Sequence, residues 1–481
     1  LTSVQNISIS QSGIRTTGTS GYGIYVSGTT FNISLQSNNI NTSGSSAHGI
    51  FIDRNSNGSV LLYNSVNTSG DGDALKINGS NTNISHNYFE TRGNASYGAN
   101  IISVSLNNTF FNNTVFTNGT QSYGFSLVNV NNQSLVLNTV RTYGSSSYGI
   151  FLDNGANNNS FVSNVVTSFG GGSGILVGGS RNNTLSFNNA TTIMASSDAI
   201  TISNSNNTLL FANILNTSGD TSAGVHMQGE NAGVISSFNK IFTNSSSLQS
   251  SGIRAFPSGG RLNANFTSEN ITTNGANGTV ACVSGVDIFL NNISFTGLSP
   301  LSKFLGFDSS SCIADGTNVT VSWFVNLSVV SQVNGSALSG AGINITNSTG
   351  SSILFATTDS NGQARFTLAE FLGNITRNVY MSPYNFTINY TGFSSNLTVL
   401  NLSLTNSTGF SVNLSASSNT STDPGTSSSG GSASSSSGSS ATAIAPRTSS
   451  ETATVAEAVV PAEVVEAPVV TTTTTAPSGG G

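Results

Sequence analysis

Gly149-Ile150-Phe151-Leu152, Gly174-Ile175-Leu176-Val177 and Ala199-Ile200-Thr201-Ile202 each open on a small residue and then alternate apolar positions two apart. The same start returns ten times at intervals of 24 to 28 residues, as Gly23-Ile24, Gly49-Ile50, Ala74-Leu75, Gly98-Ala99, Gly124-Phe125, Gly149-Ile150, Gly174-Ile175, Ala199-Ile200, Gly224-Val225 and Gly252-Ile253. A constant period of this length marks a solenoid, in which no repeat can bury its apolar face alone and stacked neighbours share one core. Period-two alternation, as in Ile50/Ile52, Leu75/Ile77 and Phe125/Leu127, makes the repeats strands with one face inward. No helical pattern interrupts them. Strands of three to five residues joined by Gly, Asn and Ser corners predict a parallel β-helix. At ~4.8 Å between strands, ten coils extend roughly 50 Å.

The asparagines divide into two sets. One falls once per coil between apolar residues, as in Leu62-Asn64-Val66, Phe111-Asn113-Val115 and Val162-Asn164-Val166. An inward amide repeated at strand spacing stacks on the next amide and satisfies its own donors and acceptors. Asn64, Asn87, Asn113, Asn138, Asn164, Asn213 and Asn239 are therefore expected to form a structural ladder, with Asn189 the ambiguous member of the series. The other set consists of Asn-x-Ser/Thr acceptor sites, of which the chain holds about 35, roughly twice the number expected by chance from its composition. Every ladder residue fails that rule because the residue two places on is apolar. Acceptor sites recur at one corner as Asn32, Asn57, Asn83, Asn107, Asn132, Asn158, Asn182 and Asn206, with a looser column of Asn41, Asn67, Asn94, Asn118, Asn216 and Asn244. Asn326, Asn344, Asn374, Asn385 and Asn396 extend the set toward the C-terminus. The expectation is N-glycosylation along the solenoid edges and passage through a secretory route. The competing explanation is that Asn suits corners in the left-handed backbone region.

Only 7% of the 481 residues are charged, the formal net charge is −6, and no basic stretch is present, which argues against a nucleic-acid partner. The chain opens at Leu1 with neither a basic nor an apolar leader, as a processed product would, and no segment is apolar enough to span a bilayer. In an exported chain Cys282 and Cys312 are expected to form one disulfide near the end of the solenoid, the alternative being two free buried thiols. No Cys-x-x-Cys motif exists, and His48, His86 and His226 are scattered, so neither metal nor cofactor is expected.

Four segments follow: a parallel β-helix over 1–312, a β-sandwich over 313–414, a Ser/Gly/Thr-rich linker over 415–454, and a Val/Ala/Glu/Pro/Thr-rich tail over 455–481. The sandwich is read from alternating runs such as Val319-Thr320-Val321-Ser322-Trp323 broken by turn signals at Asp359-Ser360-Asn361-Gly362. With Asn334-Gly335-Ser336-Ala337-Leu338-Ser339-Gly340-Ala341, this stretch of about 100 residues resembles the carboxypeptidase regulatory-like, or transthyretin-like, domains, a resemblance that implies a spacing or adhesive role. In the tail, Val459-Val460, Val464-Val465 and Val469-Val470 recur every five residues, a pattern suited to a donor strand for another subunit's sheet edge.

Across roughly residues 10–300 the Gly-Ile starts, Asn-Asn corners and Asn ladder resemble the pectate-lyase-like right-handed β-helices, many of which cleave polysaccharides. The Gly-His-Gly and Arg-x-Lys motifs that the resemblance asks for are missing; His48 stands in Ala47-His48-Gly49. Asp53 falls four coils from Asp153 and Asp73 five coils from Asp198, gaps of roughly 20 to 24 Å that no carboxylate pair bridges. His48 and Asp73 should be neighbours, read as a surface ion pair, and Tyr97, Tyr123 and Tyr148 form an aromatic strip that stacks sugars or packs on itself. The chain is accordingly expected not to be an enzyme. It is read as an extracellular, heavily N-glycosylated structural protein that polymerises with copies of itself into a cell-surface layer or filament, with head-to-tail contact as one geometry. The alternative is a secreted carbohydrate-binding or polysaccharide-degrading β-helix protein or adhesin.

Overall fold

The computed structural model describes residues 1–103, 105–245, 250–257, 261–274, 280–282, 285–296, 318–374, 377–402 and 408–417; for 281, 282, 295, 296, 373, 374, 377 and 378 it describes the backbone alone. Among the described residues every regular element is a strand. The repeats wind into coils of three short strands, each hydrogen-bonded in parallel to the equivalent strand of the next coil. In one coil these are Ile150–Asp153, Ser160–Val162 and Val165–Ser168, which lie in what are here named the third, first and second sheets. Among the described residues no helix is long and apolar enough to cross a membrane.

Inward positions of all three sheets, among them Ile150, Leu152, Phe161 and Val166, are fully buried. Each such side chain stabilises the coil by about 1.5–3 kcal/mol. The small residue that opens each repeat answers to a specific neighbour. A Cβ built on Gly149 would stand 2.1 Å from Cγ1 of Val166 and 2.5 Å from the Gly174 carbonyl oxygen. Gly49, Gly98 and Gly124 meet Val66, Val115 and Val140 in the same way.

The corner between the first and second sheets corrects one detail of the expected pattern. Leu61, not Leu62, points inward with Asn64 and Val66, and Phe110, not Phe111, with Asn113 and Val115. The phase changes because the residue before each ladder asparagine adopts left-handed backbone: Tyr63 has φ 56°, Leu137 57°, Phe187 57° and Phe238 58°. For residues other than glycine this conformation costs roughly 1–2 kcal/mol each. The ladder offsets it. Asn138 Nδ2 donates to Asn164 Oδ1 (3.0 Å) and to the Phe110 carbonyl (2.9 Å), while its backbone N–H donates to the same Asn164 oxygen (2.9 Å).

This file runs Asn38, Asn64, Asn87, Asn113, Asn138, Asn164, Asn188, Asn213 and Asn239, every member buried. Asn188 occupies the place for which Asn189 was the candidate; Asn189 begins the strand Asn189–Thr192. Glu269 ends the file, accepting from Asn239 N–H (2.7 Å), Asn239 Nδ2 (3.1 Å) and Ser236 Oγ (2.7 Å).

Beyond the coils, Asn318–Ser331 pairs in parallel with the solenoid strand Val286–Asn291 and antiparallel with Gln363–Asn374, so the first sheet continues into the C-terminal region. A separate antiparallel sheet contains Ser352–Thr357, Gly342–Thr346, Tyr384–Asn389 and Asn396–Leu400. Thr408–Leu414 joins the first sheet in parallel with Asn318–Ser331, and Phe366 and Phe410 of that sheet meet Phe386 of the second at ring separations of 6.1 and 5.1 Å. The expected linker and tail, and the expected Cys282–Cys312 disulfide, lie outside the described residues and side chains.

Candidate functional site on the third sheet

Two files of side chains cover the outer face of the third sheet. The residue before each repeat start stacks as Tyr22, His48, Asp73, Tyr97, Tyr123, Tyr148, Ser173 and Asp198, held by backbone bonds such as Gly49 N–H to Asp73 and Gly174 N–H to Asp198. The outward strand residue stacks as Tyr25, Phe51, Lys76, Asn100, Ser126, Phe151, Leu176, Thr201, His226 and Arg254. Between them the files present an aromatic block bounded by two polar clusters.

The first cluster contains His48 and Asp73, and it is not the surface ion pair that was expected. Both residues are buried, and His48 Nδ1 accepts the Asp73 backbone N–H at 2.9 Å, so the ring is neutral with its proton on Nε2. Burial, reinforced by the Lys76 ammonium 3.4 Å from Nε2, lowers His48 to about 4. Burial raises Asp73 to about 6 against hydrogen bonds from Tyr97 N–H (2.8 Å) and Asn100 Nδ2 (2.9 Å). At neutral pH the pair is a carboxylate beside a neutral imidazole.

The aromatic block follows. Tyr97 and Tyr123 stack at 5.0 Å and 21°, Tyr123 and Tyr148 lie 5.1 Å apart, and Phe151 stands 4.7 Å from Tyr123. Burial is the main cause that raises all three tyrosines, Tyr123 to about 12, so each is a neutral phenol at physiological pH.

The second cluster gathers around Asp198. Its Oδ2 lies 2.7 Å from His226 Nδ1 and 3.3 Å from Thr201 Oγ1, which in turn meets Ser173 Oγ at 2.8 Å. Its Oδ1 accepts Ala223 N–H at 2.7 Å and lies 3.8 Å from Arg254 Nη1. Burial lowers Arg254, opposed by the Asp198 charge. His226 Nε2 is shielded from solvent and has no hydrogen-bond partner. A buried polar atom left unpaired points to a missing partner. With Nδ1–H donating to the carboxylate, Nε2 is the ring nitrogen left without a partner, and Asp198 fixes the orientation of the ring.

The sequence reading passed over this cluster because it treated the histidines as scattered. Counting from the repeat starts finds it: Asp198 stands one place before Ala199, while His226 and Arg254 stand two places after Gly224 and Gly252. Asp53 shares a file with Asp153 four coils on, and Asp73 is five coils from Asp198.

The acceptor asparagines lie elsewhere. Asn32, Asn107, Asn132, Asn158 and Asn182 are exposed and left-handed, with φ of 55° to 57°, at the corner before the first sheet. Asn57 and Asn206 fall one place earlier in the register, and Asn83 lies in the strand Asn83–Ser85, so eight sites do not make one column. Side chains in the left-handed file also bond to one another, Asn182 Nδ2 to Asn158 Oδ1 at 3.1 Å. Of the looser set, Asn41, Asn67 and Asn216 face outward on the second sheet, Asn118 and Asn244 follow its strands, and Asn94 lies in the next turn. Asn326 is exposed and Asn344, Asn385 and Asn396 are half-buried on strands; the Asn374 side chain lies outside the described set.

Among the described residues no group of three or more His, Cys, Asp or Glu is placed to hold a metal. A family model described as right handed beta helix region matches residues 22–190. The fold is a right-handed β-helix. No curated protein matches the chain. Among solved structures it is similar to the periplasmic alginate epimerase AlgG, at 12% identity over 58% of this chain and 79% of that one, with a TM-score of 0.40. The mannuronan C-5 epimerase AlgE4 A-module of Azotobacter vinelandii matches at 14% identity over 61% and 91%, with a TM-score of 0.35. Vag8, solved with C1 inhibitor, matches at 17% over 61% and 81%, with a TM-score of 0.37. At these identities the likeness is one of fold. The expectation that the chain is not an enzyme is corrected, because Asp198, His226 and Arg254 meet in a cluster that the lyase and glycosidase motifs behind that expectation do not cover.

Proposed function

We propose that this is an extracellular β-helix protein that binds a polysaccharide along the third sheet and carries out proton-transfer chemistry on it at His226. The observation that carries this reading is the His226–Asp198 pair, hydrogen-bonded through Nδ1 and left unpartnered at Nε2, at the end of a stacked tyrosine block. Aromatic faces suit sugar rings through their C–H surfaces, and the phenol hydroxyls serve sugar hydroxyls. Asp198 orients the imidazole and Arg254 supplies a positive charge beside it. His226→Gln keeps the ring's approximate size and removes the base. Incubation with a panel of neutral and acidic polysaccharides, read by proton NMR of the anomeric region, should show a changed product with the native chain and none with His226→Gln. Absence of binding and change across the panel would remove the proposal.

A second reading rests on a different observation, the exposed left-handed asparagines in acceptor sequence along one corner. In it the protein is an N-glycosylated surface component that assembles with its own copies. Glycopeptide mapping of native material tests it, with sugar on Asn107, Asn132 or Asn158 as the expected result and an unmodified chain as the contrary one. The two readings are compatible because they use different faces.

A further inference from the structure

The corner between the first and second sheets carries a second surface, unrelated to the sugar face. Four outward files meet there over eight coils, led by Val60, Leu62, Tyr63 and Ser65 in the first of these coils and by Ile235, Ser237, Phe238 and Lys240 in the last. Lys240 is the only residue with a fixed charge in them. The crest is the left-handed file itself, and its occupants are unexpected. Asn or Gly fits that backbone without strain, yet Tyr63, Leu137, Phe187 and Phe238 stand there, 56%, 47%, 56% and 57% exposed. Bulky apolar side chains that are both strained and bared to water serve neither the fold nor solubility.

The order along the crest supplies the occupant. From His86 onward, large and small residues alternate coil by coil: His86, Asn112, Leu137, Ser163, Phe187, Ala212, Phe238, Ser268. Edge-to-face rings brace the knobs, Phe187 on Phe211 at 5.4 Å and Phe211 on Phe238 at 5.7 Å. Knobs separated by holes at every second coil, about 10 Å apart, are complementary to the same row turned end for end. A two-fold axis between the coils of Leu137 and Ser163 sets Leu137 of one copy against Ser163 of the other. It also sets Phe187 against Asn112 and His86 against Ala212, and at each end it brings Tyr63 of one copy ring to ring with Phe238 of the other. Eight coils and four files cover roughly 35 by 20 Å, or about 1,400 Å² when both copies are counted, within the range of stable specific interfaces.

We propose that two copies of this chain pair side by side and antiparallel along this crest, knobs into holes. From His86 to Ala212 the row is self-complementary, its ends meet aromatic on aromatic, and it is almost uncharged, which favours a second copy over a charged partner or a polar sugar. Asn83-Ile84-Ser85 and Asn112-Asn113-Thr114 are acceptor sequences within the seam, so a glycan there and the pairing exclude one another.

The test is the solution mass of the full chain, produced without glycosylation, by sedimentation velocity between 1 and 100 µM (on the order of common interface affinities). The native chain should sediment at twice its 49.1 kDa at the upper end, and Leu137→Asn/Phe187→Asn/Phe238→Asn as a monomer throughout. Because Asn suits left-handed backbone, that variant should melt no lower than the native chain, which separates loss of pairing from loss of fold. A native chain that stays monomeric, whether or not it binds phosphatidylcholine vesicles, overturns the proposal. So does a dimer that survives the triple substitution.

Discussion

At the scale of single residues, the coil depends on amides such as that of Asn138, which serves four bonds. Replacing Asn138 by Ala leaves the Asn113 side-chain and backbone donors facing no acceptor inside the solenoid. Stranding two buried donors costs about 2–4 kcal/mol, and urea unfolding should show that loss, while Asn158→Gly at an exposed left-handed corner should change stability by a few tenths. Gly149→Ala forces a methyl group into Val166 and the Gly174 carbonyl. Overpacking of this kind costs about 1–3 kcal/mol, and the double change Gly149→Ala/Val166→Ala should recover part of it. The ladder was legible in the sequence because Asn138, Asn164 and Asn213 recur with apolar residues two places on. The change of phase was not, since nothing about Tyr63, Leu137 or Phe187 as residue types announces left-handed backbone. That is why Leu62 and Phe111 were assigned to the wrong face.

At the scale of the coil, the end of the ladder is the titratable point. Glu269 is fully buried, meets three donors and no cation, and burial raises it to about 7. A folded value above the unfolded one means that the native state holds its proton longer. The contribution is fully present below about 4.5 and is lost as pH rises through about 7, on the order of 3 kcal/mol in all. The melting temperature should therefore fall between pH 5 and 8 in the native chain and stay nearly level in Glu269→Gln. His48 and Asp73 add little to this slope. His48, lowered to about 4, loses stability as pH falls below 6.5, while Asp73, raised to about 6, gains it over nearly the same interval. The period of 24 to 28 residues made the coils readable, whereas the clusters require residues from neighbouring coils to be laid in files before Asp198 and His226 are seen to meet.

At the scale of the molecule, the C-terminal edge of the first sheet is already occupied, since Asn318–Ser331 extends it and pairs onward with Gln363–Asn374. The lateral faces are the other surfaces that the coils present. Of these, the third sheet offers chemistry: a neutral tyrosine block ending at a histidine whose second nitrogen lacks a partner. Tyr123→Ala should weaken sugar binding about tenfold, or ~1.4 kcal/mol, with the rate on bound sugar less affected. Asp198→Asn, which removes the carboxylate that fixes the His226 tautomer, should lower turnover by orders of magnitude while sugar binding changes little. The most direct test is proton NMR of a polysaccharide panel incubated with the native chain and with His226→Gln. The account predicts that one polysaccharide is altered by the native chain alone, and equal behaviour of the two proteins on every polysaccharide would contradict it.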